Sequence, residues 1–218
     1  MALFGGAGGA EAQVAVSGTI TTDYRYRGVS LSDDRPALSV DLSYDADNGV
    51  YLGGSIIGGH DAGIGERILG HLEYLGYARP VGSGLTWDVG VSHATFVQYP
   101  GGVGGENNAD LYTGLRTRHF NYYLHYSPDY FGGGVATLYA EAEASARPAR
   151  HWRLFAHLGV LAPLHGALAD RERAQYDARA GVAATFKRGE LSLSVTAARP
   201  ELYVPQRDAL VLAATCFF

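Results

Sequence analysis

Apolar and polar residues alternate one for one through most of this chain, and an extended strand with two unlike faces is what that period describes. From residue 14 to 26, Val14, Val16, Gly18, Ile20, Thr22, Tyr24 and Tyr26 share one face; Ser17, Thr19, Thr21, Asp23 and Arg25 share the other. Leu38, Val40, Leu42 and Tyr44 alternate with Ser39, Asp41 and Ser43, and Leu191, Leu193 and Val195 with Ser192, Ser194 and Thr196. Twelve such segments can be marked, near residues 14–26, 37–45, 50–57, 67–78, 85–96, 108–117, 120–127, 135–145, 152–161, 175–186, 191–198 and 208–218. Most span about 8 to 12 residues, close to what a tilted strand needs to cross a bilayer. The eight prolines fall between segments, where a residue without an N–H breaks no ladder.

Connections alternate in length. Short ones lie at 45–49, 118–119 and 187–190, with two somewhat longer ones around Pro80 and Pro148. Longer ones, near 27–36, 58–66, 97–107, 128–134, 162–174 and 199–207, are richer in Gly, Asp and Arg. Short turns on one side and long loops on the other characterise barrels that span a bacterial outer membrane.

Alternation alone also fits a soluble sandwich or lipocalin-like barrel. The distribution of charge separates them. On this assignment no mid-strand position of the apolar face is charged, whereas the opposite face carries Asp23, Arg25, Asp41, Glu73, Asp88, Asp110, Arg116, Glu141, Glu143, Arg153, Asp177 and Arg179. These are candidate pore-lining residues, with acids outnumbering bases. Apolar-face aromatics gather near strand ends: Tyr44, Trp87, Phe120, Trp152, Phe186 and Phe218 on the short-turn side, Tyr24, Tyr26, Tyr126 and Tyr176 on the long-loop side. Two such belts are the interfacial girdles of a spanning barrel. The fold class expected is therefore all-β: one transmembrane antiparallel barrel over residues 13–218, with short periplasmic turns and longer extracellular loops. Outer-membrane lipid and lipopolysaccharide are the expected surroundings. The last strand, closing with Phe218, would face the barrel-assembly machinery.

Composition excludes several other classes. A net charge of −5 leaves no basic surface for nucleic acid. Cys216 is alone, so there is no disulfide framework or cysteine metal site, and the eight histidines are scattered, so no metal is expected. No run approaches the roughly 18 apolar residues of a membrane helix. Residues 1–12, MALFGGAGGAEA, end in an Ala-x-Ala pattern after an apolar run without a basic start. They read as a signal-peptide remnant or a flexible tail.

Two motifs invite enzymatic or cofactor readings and fail. Gly101-Gly102-Val103-Gly104-Gly105 lacks the Lys-Ser/Thr of a phosphate loop and leads into no helix, so no cofactor is expected. Gly90-Val91-Ser92-His93-Ala94 lacks the last glycine of a hydrolase elbow, and Ser92 and His93 lie on opposite faces of a strand.

Residues 17–56 contain Asp23, Tyr24, Arg25, Tyr26, Arg27, Gly28, Ser30, Ser32 and Asp33 in a pattern that resembles the opening of the TorF family of predicted porins. A second block, residues 110–132, is similar to that family's middle through Tyr112, Gly114, Tyr126, Ser127, Tyr130, Phe131 and Gly132. One departure is Ser55-Ile56-Ile57, where members often carry a Trp. The resemblance implies an outer-membrane barrel and a passive pore for ions and small hydrophilic solutes, but names no solute. A plugged barrel with a structural, adhesive or regulatory surface role shares the same features. Asp23, Arg25 and Arg27 would either line a constriction or pack the lumen as a salt-bridge network.

Overall fold

The structure, a computed structural model, describes residues 12–61, 65–97, 107–166, 174–199 and 208–218. The signal-like segment up to residue 11 and the Gly101–Gly105 loop lie outside them. Twelve antiparallel strands close a barrel: β1 (Gln13–Thr21), β4 (Ala37–Asp45), β5 (Val50–Asp61), β6 (Gly65–Gly82), β7 (Leu85–Phe96), β8 (Asn107–Arg116), β9 (Phe120–Ser127), β10 (Val135–Ala149), β11 (Trp152–Gly166), β12 (Gln175–Phe186), β13 (Gly189–Arg199) and β14 (Ala209–Phe217). Each strand pairs with its chain neighbour, and β1 pairs with β14 to complete the circle. Between β1 and β4 stands a small hairpin, β2 (Arg25–Tyr26) and β3 (Val29–Ser30).

Polarity is inverted relative to a soluble protein. On β13, Leu191, Leu193 and Val195 are exposed, whereas Ser192, Ser194 and Thr196 are buried. The same holds around the wall, with Leu38, Ile56, Leu75, Val91, Leu111, Leu124, Leu158 and Leu212 exposed outside. A sheet that turns its apolar side chains outward and its hydroxyls inward suits lipid outside and a polar interior.

The strand count matches the sequence pattern; three details differ. The first segment stops as a barrel strand at Thr21 rather than continuing to Tyr26. Three prolines expected at breaks lie inside strands: Pro80 in β6, Pro148 in β10 and Pro163 in β11. Each sits where its strand overhangs a neighbour. Pairing of β6 with β5 ends at Tyr77, of β10 with β9 at Ala144, and of β11 with β12 at Leu161. An overhang has one free edge, so the missing N–H costs no ladder bond. Third, a bulge leaves Leu69 unpaired between Ile68 and Gly70, which shifts the parity of β6. Beyond it, Leu72 packs against an interior apolar cluster and Glu73 is on the outer face.

Candidate pore constriction

The most distinctive motif does not continue the wall. Residues 22–36 turn into the barrel, and their tip reaches across it. Arg27 and Gly28, both at positive φ (47° and 78°), make the two-residue loop between β2 and β3. That is the geometry of a primed hairpin turn, with glycine in its second place. The tip is confined: a Cβ at Gly28 would stand 2.6 Å from Cβ of Asp177 on β12 and 2.8 Å from Cβ of Ala198 on β13. On another side of the lumen, Arg27 Nη2 donates to Asp110 Oδ2 of β8 at 2.6 Å. Arg27 also lies 4.4 Å from the ring centroid of Tyr139 on β10, and Gln175 Nε2 donates to the Arg27 carbonyl at 3.2 Å.

The motif's polar residues hold this hairpin together. Asp23 accepts hydrogen bonds from Arg25 Nε and, at 2.6 Å, from Ser30 Oγ. Arg25 also donates to the Gly28 carbonyl at 3.1 Å and to Asp34 at 2.9 Å. Ser32 Oγ accepts from the Tyr24 N–H at 2.9 Å. Tyr24 and Tyr26, expected in the outer girdle, are corrected to the interior. They pack against a cluster of Leu31, Ala37, Ile57, Leu69, Ala94, Phe96 and Phe131. Tyr26 meets Phe96 at 5.0 Å between ring centroids. The reason is local: after Thr21 the chain leaves the sheet, so its alternation no longer reports the side of the wall. Burial pushes both phenols above their ordinary range, which keeps them neutral.

The remaining sequence candidates divide by accessibility. Asp88 is wholly buried, covered by Tyr51, by Tyr123 at 2.7 Å and by Arg116 at 3.5 Å. Asp177 accepts from Tyr139 at 3.0 Å and lies 2.9 Å from His157 Nε2. Asp41 accepts weakly from Ser17 and Ser39. Glu141 stands between His125 at 3.1 Å and His157 at 3.8 Å, and Asn121 donates to Glu143 at 3.2 Å. Arg153 pairs with Glu190, and Arg179 donates to Ser194 at 3.1 Å. Glu73 is the one candidate that the bulge removes from the interior, and it is corrected to the outer face.

Sequence reasoning missed Tyr51, Tyr112, Tyr123, Tyr139 and Glu190. The tyrosines fill the space over glycines of nearby strands: a Cβ at Gly76 would be 2.3 Å from the Tyr51 ring, and one at Gly159 would be 2.2 Å from the Tyr139 hydroxyl. A tyrosine recurring opposite an inward glycine is the signal that could have found them. On the outside, Tyr44, Trp87, Phe120, Trp152, Phe186 and Phe218 form a ring at the short-turn end, and Tyr126 and Tyr176 are exposed toward the long-loop end.

Solved structures share this architecture at low identity. The KdgM porin aligns with a TM-score of 0.58 and 12% identity, covering 94% of this chain and 98% of that one. The NanC porin gives 0.54 and 8%, over 94% and 98%. An outer-membrane channel of Pseudomonas putida F1 gives 0.51 and 13%, over 96% of each chain. No curated protein matches the sequence. A family model described as "Bacterial protein of unknown function (Gcw_chp)" matches residues 6–209, and the chain belongs to that family.

Proposed function

We propose that the protein is a porin-like channel of the bacterial outer membrane, passing ions and small hydrophilic solutes through a lumen narrowed by the 22–36 hairpin. One observation carries this reading: the wall is predominantly apolar outside and lined with ionisable groups inside, and the hairpin tip crosses that interior from Asp110 to Asp177. The resemblance to the TorF family of predicted porins and the fold shared with the KdgM and NanC porins support it. In this reading the short turns are periplasmic and the long loops extracellular. Lipid and lipopolysaccharide surround the outer wall, and the strand ending at Phe218 engages the barrel-assembly machinery.

A second reading has its own support. The tip is wedged against β12 and β13 and ion-paired to β8, which suits a hairpin that plugs the barrel and leaves a structural or regulatory surface role. Single-channel recording in a planar bilayer decides between them. Steady conductance from protein shown to be folded by its heat-dependent gel mobility supports the channel. Folded protein that never conducts overturns it in favour of the plug.

A further inference from the structure

We propose that His71, Glu73 and His93 form a site for one divalent transition-metal ion, such as Zn²⁺, on the outer wall of the barrel. The register assembles them. His71 and Glu73 are two apart on β6, hence on one face, and Glu73 pairs directly with His93 on β7. By the same period His71 and Glu73 share their face with Leu75, and His93 shares it with Val91, both exposed on the outer wall; the side chains of His71, Glu73 and His93 are 44%, 53% and 41% exposed.

Their spacing suits a shared ion. His93 Nδ1 lies 3.3 Å from Glu73 Oε1, and His71 Nε2 lies 3.5 Å from Oε2. These separations are long for charge-assisted hydrogen bonds, which run at about 2.7–2.9 Å. Each is close to a ligand–ligand separation in a zinc site, about 3.4 Å for bonds near 2.0–2.1 Å, with one imidazole standing beside each oxygen of the carboxylate. One ligand atom from each residue falls within 4.8 Å of the others. Two imidazoles and a carboxylate are also the donor set that Zn²⁺ takes when a fourth position stays open. Among neighbouring outward positions Ile56, Leu75, Val91 and Leu111 are apolar, and the Thr95 hydroxyl, opposite His71, is already engaged in donating to Asn107 Oδ1 at 2.7 Å. Two neutral histidines and one carboxylate leave the bound ion with a net positive charge. The open position therefore suits water or an anionic oxygen from outside the barrel.

The metal itself is the probe. Full-length protein folded in detergent is freed of metal and titrated with Zn²⁺ by calorimetry, and in parallel with Co²⁺ by visible absorption. One saturable equivalent, with the intense bands of tetrahedral Co²⁺, is the expected result. Loss of an outer-shell partner alone weakens metal sites about 10–100-fold, so His71→Ala and His93→Ala should each cost at least that much. Glu73→Gln, which keeps the side-chain shape, is the variant to use if either alanine form fails to fold. His60→Ala, at the separate His60–Glu66 pair, should leave binding unchanged. No stoichiometric binding by folded wild type, or equal binding by the His71→Ala, His93→Ala double variant, overturns the site and leaves a hydrogen-bonded trio only.

Discussion

Arg27, at the tip of the hairpin, and Asp110, on the wall of β8, form an ion pair at 2.6 Å with side chains only 6% and 2% exposed. Removing one partner of such a pair leaves a buried charge uncompensated, at a cost of about 3–5 kcal/mol. Arg27→Ala should therefore free the hairpin from the wall without preventing closure of the barrel. Conductance should rise and its fluctuations increase, while thermal unfolding in detergent moves to lower temperature. Unchanged conductance with an unchanged unfolding temperature would show that the pair does not hold the hairpin.

Charge selectivity should follow the accessible carboxylates. Glu141 and Glu143 face inward on β10, and neither is as deeply covered as Asp88. A narrow passage with low-dielectric walls focuses such charge, and a modest cation preference is expected because nearby arginines cancel part of the field. Glu141→Gln with Glu143→Gln should lower the cation-to-anion permeability ratio, read from the reversal potential under a salt gradient. A ratio unmoved by the double change would place the selective region elsewhere.

Side-chain orientation is testable through folded yield. Leu193 is 42% exposed on the outer wall, and an Arg at the lipid-facing midplane costs roughly 2–4 kcal/mol. Thr19 faces the lumen, bonded to Thr215 at 2.9 Å. Leu193→Arg should reduce the heat-modifiable fraction far more than Thr19→Arg. The opposite order would mean that the wall faces the other way.

The tyrosine–glycine contacts make a packing prediction. Gly159→Ala would drive a methyl into the Tyr139 hydroxyl and the Asp177 carboxylate, at 2.2 and 2.3 Å. Overpacking of this kind costs about 1–3 kcal/mol. Denaturant unfolding in detergent should show that loss, and Tyr139→Phe in the same chain should restore part of it. No recovery in the double variant would assign the strain to Asp177 instead.

Topology should be visible on cells. An epitope inserted between Gly101 and Gly105 should bind antibody on intact bacteria, whereas one between Lys187 and Arg188, the turn joining β12 to β13, should not. Labelling in the reverse pattern would invert the barrel in the membrane.

Strand number and the two-sidedness of the wall were legible because a period of two runs through most of the strands, as Leu191–Thr196 illustrates. The inward hairpin was not legible. Tyr24 and Tyr26 prolong the alternation of β1 although the chain has already left the sheet, and the Arg27-Gly28 turn that reverses it looks like the start of a loop. Glu73 was misplaced because parity counts residues, and the bulged Leu69 adds one that no pattern of apolar residues announces. His71 and His93, 22 positions apart, meet only through the β6–β7 register. Charged residues were readable as inward; which of them tyrosines would cover was not, since that depends on glycines supplied by neighbouring strands.

The hairpin also bears on how the circle stays shut. The joint between the first and last strands has five paired positions, against nine between β1 and β4. The hairpin leaves the end of β1, and its tip lodges against β12 and β13, on the far side of that joint. It thus ties the beginning of the chain to its end from within, independently of the ladder that joins them. Lateral parting of the two terminal strands would have to withdraw Gly28 from between Asp177 and Ala198. A separation that the short ladder would permit locally becomes a cooperative event involving three more strands.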